Sequence, residues 1–426
     1  CPAERPQVPR LNGVSPETIT RPGPEQRANR RARLRWTGKT GPCAGSRGQT
    51  RPAGVSGHKP LVENPEKRKR KLLPHEARES IYRGLAGTRL PWFLNRTIFR
   101  KAHTVITYHG VRDRNLPIDD ECFIARDRFI RQMLYVKRHF TVVPLSQALE
   151  LSASRNIHRP PLLSITFDDG FQSVRDIAFP ILRELSLPAT VFLVTGLTDT
   201  DETLWYCMLN QAFSETKKTG IVWRGRRYDL TNPNDRAFAC TTLQGMLKKM
   251  PHDRLVQEVE SIVGSLGYHS RPKVPLGSPF RILDSRSIQE MHKSGLIEFG
   301  AHTHTHTILS LLPRDRQEFE ITSSIEHVKG ITGGECTLFS YPNGEEGDFE
   351  DTTRELLAGH NIRCSVTMMR GPNYPGTDPM CYRRYGIENA MSDSRFMMNV
   401  HHMVWVKRSI SRVHRSISGQ EVRNSC

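Results

Sequence analysis

The stretch Leu162-Leu163-Ser164-Ile165-Thr166-Phe167-Asp168-Asp169-Gly170 decides the fold. Its first six residues carry no charge and no turn former, and read as a strand buried on both faces, as in a parallel sheet. The run then ends in two carboxylates and a glycine. Successive strand residues face opposite ways, so Asp168 and Asp169 share a site only where the strand stops, and Gly170 supplies that stop. Strand C-termini are where the active sites of parallel α/β folds collect. There one carboxylate can bind a metal while the other faces an attacking water. The competing reading is an Asp that caps the following helix.

The pattern repeats on both sides of this strand. Val174, Ile177, Ala178, Ile181, Leu182 and Leu185 mark a helix, and 189–194 the next strand. Upstream lie a strand at 105–108, then a helix with Phe129, Met133, Val136 and Phe140 at i, i+4, i+7, i+11. A short strand at 141–143 and a brief helix over 146–151 follow. Downstream, helices near 287–292, 319–328 and 356–360 alternate with strands at 297–301, 338–341 and 364–368. This rhythm predicts an α/β fold with a mainly parallel sheet. Residues 201–280 interrupt it. Ile221-Val222-Trp223, then Arg224-Gly225, then Arg226–Leu230 predicts a hairpin, and Leu255, Val259, Ile262 and Leu266 a helix stopped by Gly267. This insertion reads first as structural decoration and second as a substrate-covering cap.

The formal charge of +18 belongs to one end of the chain. Residues 1–100 carry 22 Lys and Arg against 7 Asp and Glu, whereas the remaining 326 carry 40 and 37. Residues 1–95 therefore read as a basic Pro/Gly/Arg-rich tail, disordered for lack of apolar surface to bury. Its run Lys67-Arg68-Lys69-Arg70-Lys71 is a solvated charge run rather than a nucleic-acid site. The body is expected over 96–405, with a polar tail at 406–426. The nine cysteines are scattered with no Cys-x-x-Cys pair, which argues against a disulfide scaffold or a Cys-zinc site. No stretch reaches the ~18 apolar residues of a membrane span. No secretory signal is visible, so the expected location is cytoplasmic by default, with cell-envelope association as the alternative.

A second motif stands at another strand end: Phe299-Gly300-Ala301-His302-Thr303-His304-Thr305-His306. If the chain turns helical after Ala301, His302 and His306 share a face and His304 points elsewhere. Two imidazoles and one carboxylate suit a divalent ion. The third motif, Tyr341-Pro342-Asn343-Gly344, follows the strand at 338–341 and can aim a backbone N–H at an oxyanion.

In this order the three motifs resemble those of the polysaccharide deacetylases (carbohydrate esterase family 4). Thr166-Phe167-Asp168-Asp169-Gly170 matches the first motif, His302 to His306 the His-[Ser/Thr]-x-x-His motif, and Tyr341 to Gly344 the third. Thr107-Tyr108-His109, Pro188 to Leu193 and Tyr382-Arg383-Arg384-Tyr385-Gly386 extend the likeness over roughly 100–395. The resemblance implies a distorted (β/α) barrel and a metal-dependent hydrolase that removes N-acetyl groups from the amino sugars of a glycan. Asp169, His302 and His306 would hold the metal, commonly zinc, and Asp168 would be the general base. The Asn343 N–H would stabilise the oxyanion. Two departures stand out. Where many members carry Arg, two residues before the Pro, this chain has Ser340, so Asp168 needs another partner, Arg384 ahead of Arg383. The late Leu-x-His motif that supplies the general acid is not cleanly present. His402 stands first for that role, with His401, His109 and His304 as the other candidates. Trp205, Tyr206 and Trp223 of the insertion are candidates for stacking on sugar rings, or core residues. A non-glycan amide or ester substrate, or a glycan-binding relative without turnover, are the alternative functions.

Overall fold

The structure, a computed structural model, describes residues 75–116, 118–153 and 160–405. The basic run 67–71 and the segment 406–426 lie outside them. Regular structure begins earlier than expected, because two helices occupy most of residues 75–97 where a tail was expected up to 95. α1 (His75–Ala86) opens with Glu76 and closes with Arg83, the charge order that suits the helix dipole. α2 (Leu90–Thr97) carries Pro91 in its first turn, where a missing N–H costs nothing.

The elements then follow the expected alternation. β1 (His103–Tyr108), β2 (Gly110–Arg112), β3 (Phe123–Ala125), α3 (Arg126–His139), β4 (Thr141–Val142), α4 (Leu145–Ala153) and β5 (Leu162–Phe167) form the first half. A π-helical turn, Val174–Ala178, runs into α5 (Phe179–Leu185), followed by β6 (Ala189–Leu193). The insertion comprises α6 (Trp205–Glu215), the hairpin β7 (Gly220–Trp223) and β8 (Arg226–Asp229), α7 (Pro233–Leu247) and α8 (His252–Ser265). α9 (Ser285–Lys293), β9 (Ile297–Ala301), α10 (Arg314–Thr332), β10 (Leu338–Ser340), α11 (Asp351–Gly359), β11 (Cys364–Val366), β12 (Tyr385–Gly386) and α12 (Asp393–Val400) complete the chain.

The main sheet runs β11-β10-β9-β6-β5-β1-β12, with β4 beside the start of β5, and its pairs are parallel. Its margins are tied together by one segment. Tyr382 bridges to Val366 of β11, and Tyr385 and Gly386 pair with Ile106 and Thr107 of β1. The result is a distorted (β/α) barrel. The period of two along β5 sorts its residues. Leu163, Ile165 and Phe167 join the outer core under α3, α5 and α10, with Val136, Leu182 and Ile325. Ser164 and Thr166 take the opposite face, inside the barrel, and Asp168 continues their side. Below them Val105, Phe192, Leu338, Val366 and Tyr382 form an apolar floor. Gly300 belongs to this interior: a Cβ there would stand 2.7 Å from the Leu338 carbonyl oxygen and the Phe192 ring.

The insertion has its own core, in which Leu209, Phe213, Trp223, Leu243 and Ile262 pack together. Trp223 is buried there and donates from Nε1 to Glu258 at 2.7 Å, so it is a core residue and not a sugar platform. Cys122, Cys207, Cys240, Cys336 and Cys364 are free thiols. No described helix is long and apolar enough to cross a membrane.

Candidate active site

Asp168 lies at the C-terminal end of β5, 3% exposed, and its partner is Arg384, which is fully buried. Arg384 Nη1 and Nη2 donate to the two carboxylate oxygens at 2.7 Å each. Every other donor of this guanidinium is also engaged. Nε reaches the Thr367 carbonyl at 3.0 Å, Nη1 the hydroxyls of Thr107 and Thr166, and Nη2 the Ser340 hydroxyl at 3.0 Å. The small Ser340 leaves room for Arg384 to arrive from the closing segment and also hydrogen-bonds Asp168 at 3.3 Å. Burial alone would raise the Asp168 carboxyl, but the Arg384 charge outweighs it and holds the group below the usual carboxylate range. Arg383 does not meet Asp168: its N–H donates to Asn373 Oδ1 at 2.8 Å.

Asp169 turns the chain. Its φ is 71°, in the left-handed region, as is that of Gly170. Asp tolerates this conformation better than most residues. The bend starts one residue earlier than Gly170 and lets both carboxylates reach one mouth. Asp169 Oδ1 lies 3.5 Å from His302 Nε2 and 3.2 Å from His306 Nε2. Burial would raise its carboxyl; the two imidazoles hold it well below the ordinary value.

The histidine segment is a loop, not the helical turn that would put His302 and His306 on one face, yet its pair converges. Thr303 and His306 adopt φ of 61° and 60°. The buried Glu320 of α10 holds the loop in that shape. Its Oε2 accepts the N–H groups of His304 (2.9 Å) and Thr305 (2.8 Å), and Oε1 the Thr305 hydroxyl. The loop is also zipped to the one after β6 by Gly196 N–H to the His304 carbonyl at 2.7 Å. A Cβ on Gly196 would stand 2.6 Å from that oxygen. His304 points away, with Nδ1 3.1 Å from the Thr195 hydroxyl.

A metal ion fits these residues. Asp169, His302 and His306 each offer a ligand atom, all within 4.8 Å of one another. Asp169 Oδ1 is buried and has no hydrogen-bond partner, a costly state for a carboxylate oxygen unless a cation meets it. The Ser340 carbonyl accepts from His302 Nδ1 at 2.7 Å, which fixes the tautomer and leaves the Nε2 lone pair for a ligand.

The mouth opens into a cavity of about 600 Å³, within the usual range for small-ligand sites. His109, Asp168, Asp169, His302, His306 and Asn343 all line it. So does the insertion, through Trp205, Tyr206, Gln244 and Lys248, which makes it a wall of the site rather than decoration. Asn343 has φ 62°, and its backbone N–H makes no hydrogen bond with any described residue.

His402 does not belong to this mouth. It lies at the opposite end of the strands, fully buried, with Nε2 3.1 Å from the Thr104 hydroxyl and Nδ1 2.8 Å from the Tyr385 hydroxyl. Burial lowers its pKa to about 3, so the ring is neutral at pH 7 rather than a charged acid. His401 is likewise enclosed, between Asn95 and Tyr135. Of the four histidines considered as general acid, only His109 lines the cavity beside Asp168.

The family model described as polysaccharide deacetylase matches residues 155–227 and 266–365. With this match, the mouth-side carboxylates and imidazoles are those of a hydrolase acting on carbon–nitrogen bonds. Over these matched residues, which carry the Asp168-Asp169 and His302–His306 motifs, the chain is similar to the polysaccharide deacetylase family. The matched segments flank 228–265, which holds the end of β8 together with α7 and α8 of the insertion. Solved structures similar to this chain include the Streptococcus pyogenes deacetylase PplD in complex with acetate, at 16% identity and a TM-score of 0.47, over 70% of this chain and 98% of that one. IcaB from Ammonifex degensii aligns at 20% identity and a TM-score of 0.46, over 70% and 97%. The BpsB deacetylase domain from Bordetella bronchiseptica aligns at 19% and 0.43, over 67% and 96%. No curated protein matches the chain in sequence.

Proposed function

We propose that this chain hydrolyses the N-acetyl groups of amino sugars in a glycan, with Asp168 as general base. The observation that carries the reading is Asp168 itself. It is an ionised carboxylate locked by a bidentate guanidinium, next to a carboxylate that faces two imidazoles, at the floor of a ligand-sized cavity.

Asp169, His302 and His306 hold a divalent ion, zinc by the character of two imidazole nitrogens and one carboxylate oxygen. When bound, it supplies Lewis-acid polarisation and lowers the pKa of water. Asp168 takes the proton of the attacking water, and Arg384 keeps it ionised and aimed while doing so. The Asn343 N–H donates to the oxygen that gains charge as the acetyl carbon becomes tetrahedral. His109 gives a proton to the departing amine; its place on the cavity wall supports this role over His402. Trp205 lines the same cavity and offers a ring face to a sugar.

The test is acetate release from acetylated chitooligosaccharides and peptidoglycan fragments. Asp168→Asn is expected to lower the rate by about 10²–10⁴-fold, as loss of a general base does. His109→Gln is expected to lower the rate by about 10²–10⁴-fold, as loss of a general acid does. Undiminished release by Asp168→Asn, or none from any acetylated glycan by the wild type, sinks the reading.

A further inference from the structure

The hydroxyl of Tyr206 donates to Asp169 Oδ2 at 2.5 Å. Tyr206 comes from α6, the first helix of the insertion, and not from the barrel. The two oxygens of Asp169 are therefore in different situations. Oδ2 is occupied by a short hydrogen bond to a phenol, whereas Oδ1 has no hydrogen-bond partner and faces both imidazoles. The phenol is held in place from behind. Gln244 of α7 donates from Nε2 to the Tyr206 carbonyl at 2.8 Å, and the Trp205 ring packs edge-on against the Tyr206 ring at 5.8 Å. Gln244, Trp205 and Tyr206 all line the cavity.

We infer that Tyr206 is a positioning residue that reserves one oxygen of Asp169, so that Asp169 meets the ion through Oδ1 alone. This rests on the reading that Asp169, His302 and His306 hold a metal. Carboxylates bind divalent ions through one oxygen or two, and a strong hydrogen bond to the second oxygen favours one. A single-oxygen Asp with two imidazoles gives three protein donors, the number that leaves coordination positions for water and substrate. The inference also assigns the insertion a task. The wall that shapes the cavity is the element that sets the ligand geometry, so movement of α6 reaches the ion through one hydroxyl.

The test measures metal binding and needs no turnover. Wild type and Tyr206→Phe, stripped of metal, are titrated with zinc against a chromophoric chelator, and with cobalt(II) while its visible absorption is followed. Removal of an outer hydrogen bond of this kind weakens metal affinity by about 10- to 100-fold. The same loss is expected here. Bound cobalt should also absorb more weakly, as Oδ2 enters the coordination sphere and raises the ligand number. Asp169→Ala serves as the second background: there Tyr206→Phe should change affinity by less than twofold, because the hydroxyl acts only through that carboxylate. Equal affinity and superimposable cobalt spectra for wild type and Tyr206→Phe overturn the inference while leaving the metal site standing. So does an undiminished effect in Asp169→Ala. A wild type that binds neither ion overturns the inference and the metal reading together. Should Tyr206→Phe fail to fold, judged by circular dichroism of the metal-free protein, Gln244→Ala replaces it. Loosening the Tyr206 backbone is then expected to shift affinity and spectrum in the same direction, and no shift overturns the inference.

Discussion

Replacing Arg384 by Met separates the charge of that residue from its bulk. The side chains are similar in length, so Met fills most of the vacated space and the cavity contribution is small. What remains is the Asp168 carboxylate, 3% exposed, stripped of two 2.7 Å charged hydrogen bonds and left with only the Ser340 hydroxyl at 3.3 Å. Removing one partner of a buried pair costs about 3–5 kcal/mol, chiefly the burden of the uncompensated charge. The expected loss at pH 7, from guanidinium denaturation followed by circular dichroism, is in that range. Asp168→Asn, which strands the guanidinium, should cost a similar amount. The double variant should be better than the sum of the two by at least about 1 kcal/mol, because each change removes what the other leaves unpaired. A pH arm sharpens the reasoning. Without Arg384, burial raises the folded Asp168 pKa above its unfolded value. That folded state is then favoured below the unfolded pKa and loses the advantage as pH rises. The deficit of Arg384→Met relative to wild type should therefore shrink between pH 7 and pH 5. A deficit under about 1 kcal/mol at pH 7, or one that does not change with pH, would refute the account of Asp168 as a charge dependent on Arg384.

Two further outcomes follow from groups away from the ligand atoms. His103, His401 and His402 are buried with pKa values lowered to about 3, and their ring nitrogens meet only neutral groups such as Tyr382, Ser164, Asn95, Tyr135, Thr104 and Tyr385. The unfolded chain takes up protons near pH 6.5 and the folded one does not. Their contribution is thus whole above pH 6.5 and falls as pH drops toward 3, by about 2 kcal/mol for each histidine at pH 5. Denaturation midpoints at pH 7, 6 and 5 test this; a flat profile contradicts it, and His402→Gln should lessen the slope. Glu320→Gln keeps the shape of the side chain but puts an amide NH₂ where an acceptor stood for the His304 and Thr305 donors. It should cost about 1–3 kcal/mol and weaken zinc binding, as read by denaturation and chelator competition. Unchanged zinc affinity would show that the loop shape does not depend on that carboxylate.

Much of the barrel is visible in the pattern of apolar residues, because strands buried on both faces leave long uncharged runs. β5 is such a run and β9 is one broken only by Glu298, and their ends deliver Asp168, Asp169 and His302 to one mouth. The local path beyond the strand ends is less visible. Left-handed residues at 169, 303 and 306 arise from tertiary hydrogen bonds, above all those of Glu320, and no spacing rule announces them. α7 does carry a local signal, Asn232-Pro233 with Asp235, and Asn232 indeed accepts from the Asp235 N–H. α6 lacks one, since its residues 207–213 are all buried and show no polar face. The assignment of His402 failed for a similar reason. Proximity in sequence to β12 does not say which end of the barrel the chain visits after α12. Arg384 was within reach because its motif neighbours narrowed the choice to two adjacent residues, and a one-residue step on a strand decides which side chain enters the barrel.

The segment 382–386 joins the margins of the sheet and also carries Arg384, so closure of the barrel and completion of the Asp168 pair are one event in the life of the chain. Asp168 and its partner are 216 positions apart. At ribosomal speeds of about 5–20 residues per second, roughly 10–40 s separate their synthesis. For that interval the carboxylate has no guanidinium, and the sheet that bears it has two open edges. A chain cut anywhere before residue 382 stays in that condition permanently. Premature termination before residue 382 therefore yields an open sheet with an unpaired carboxylate at its centre.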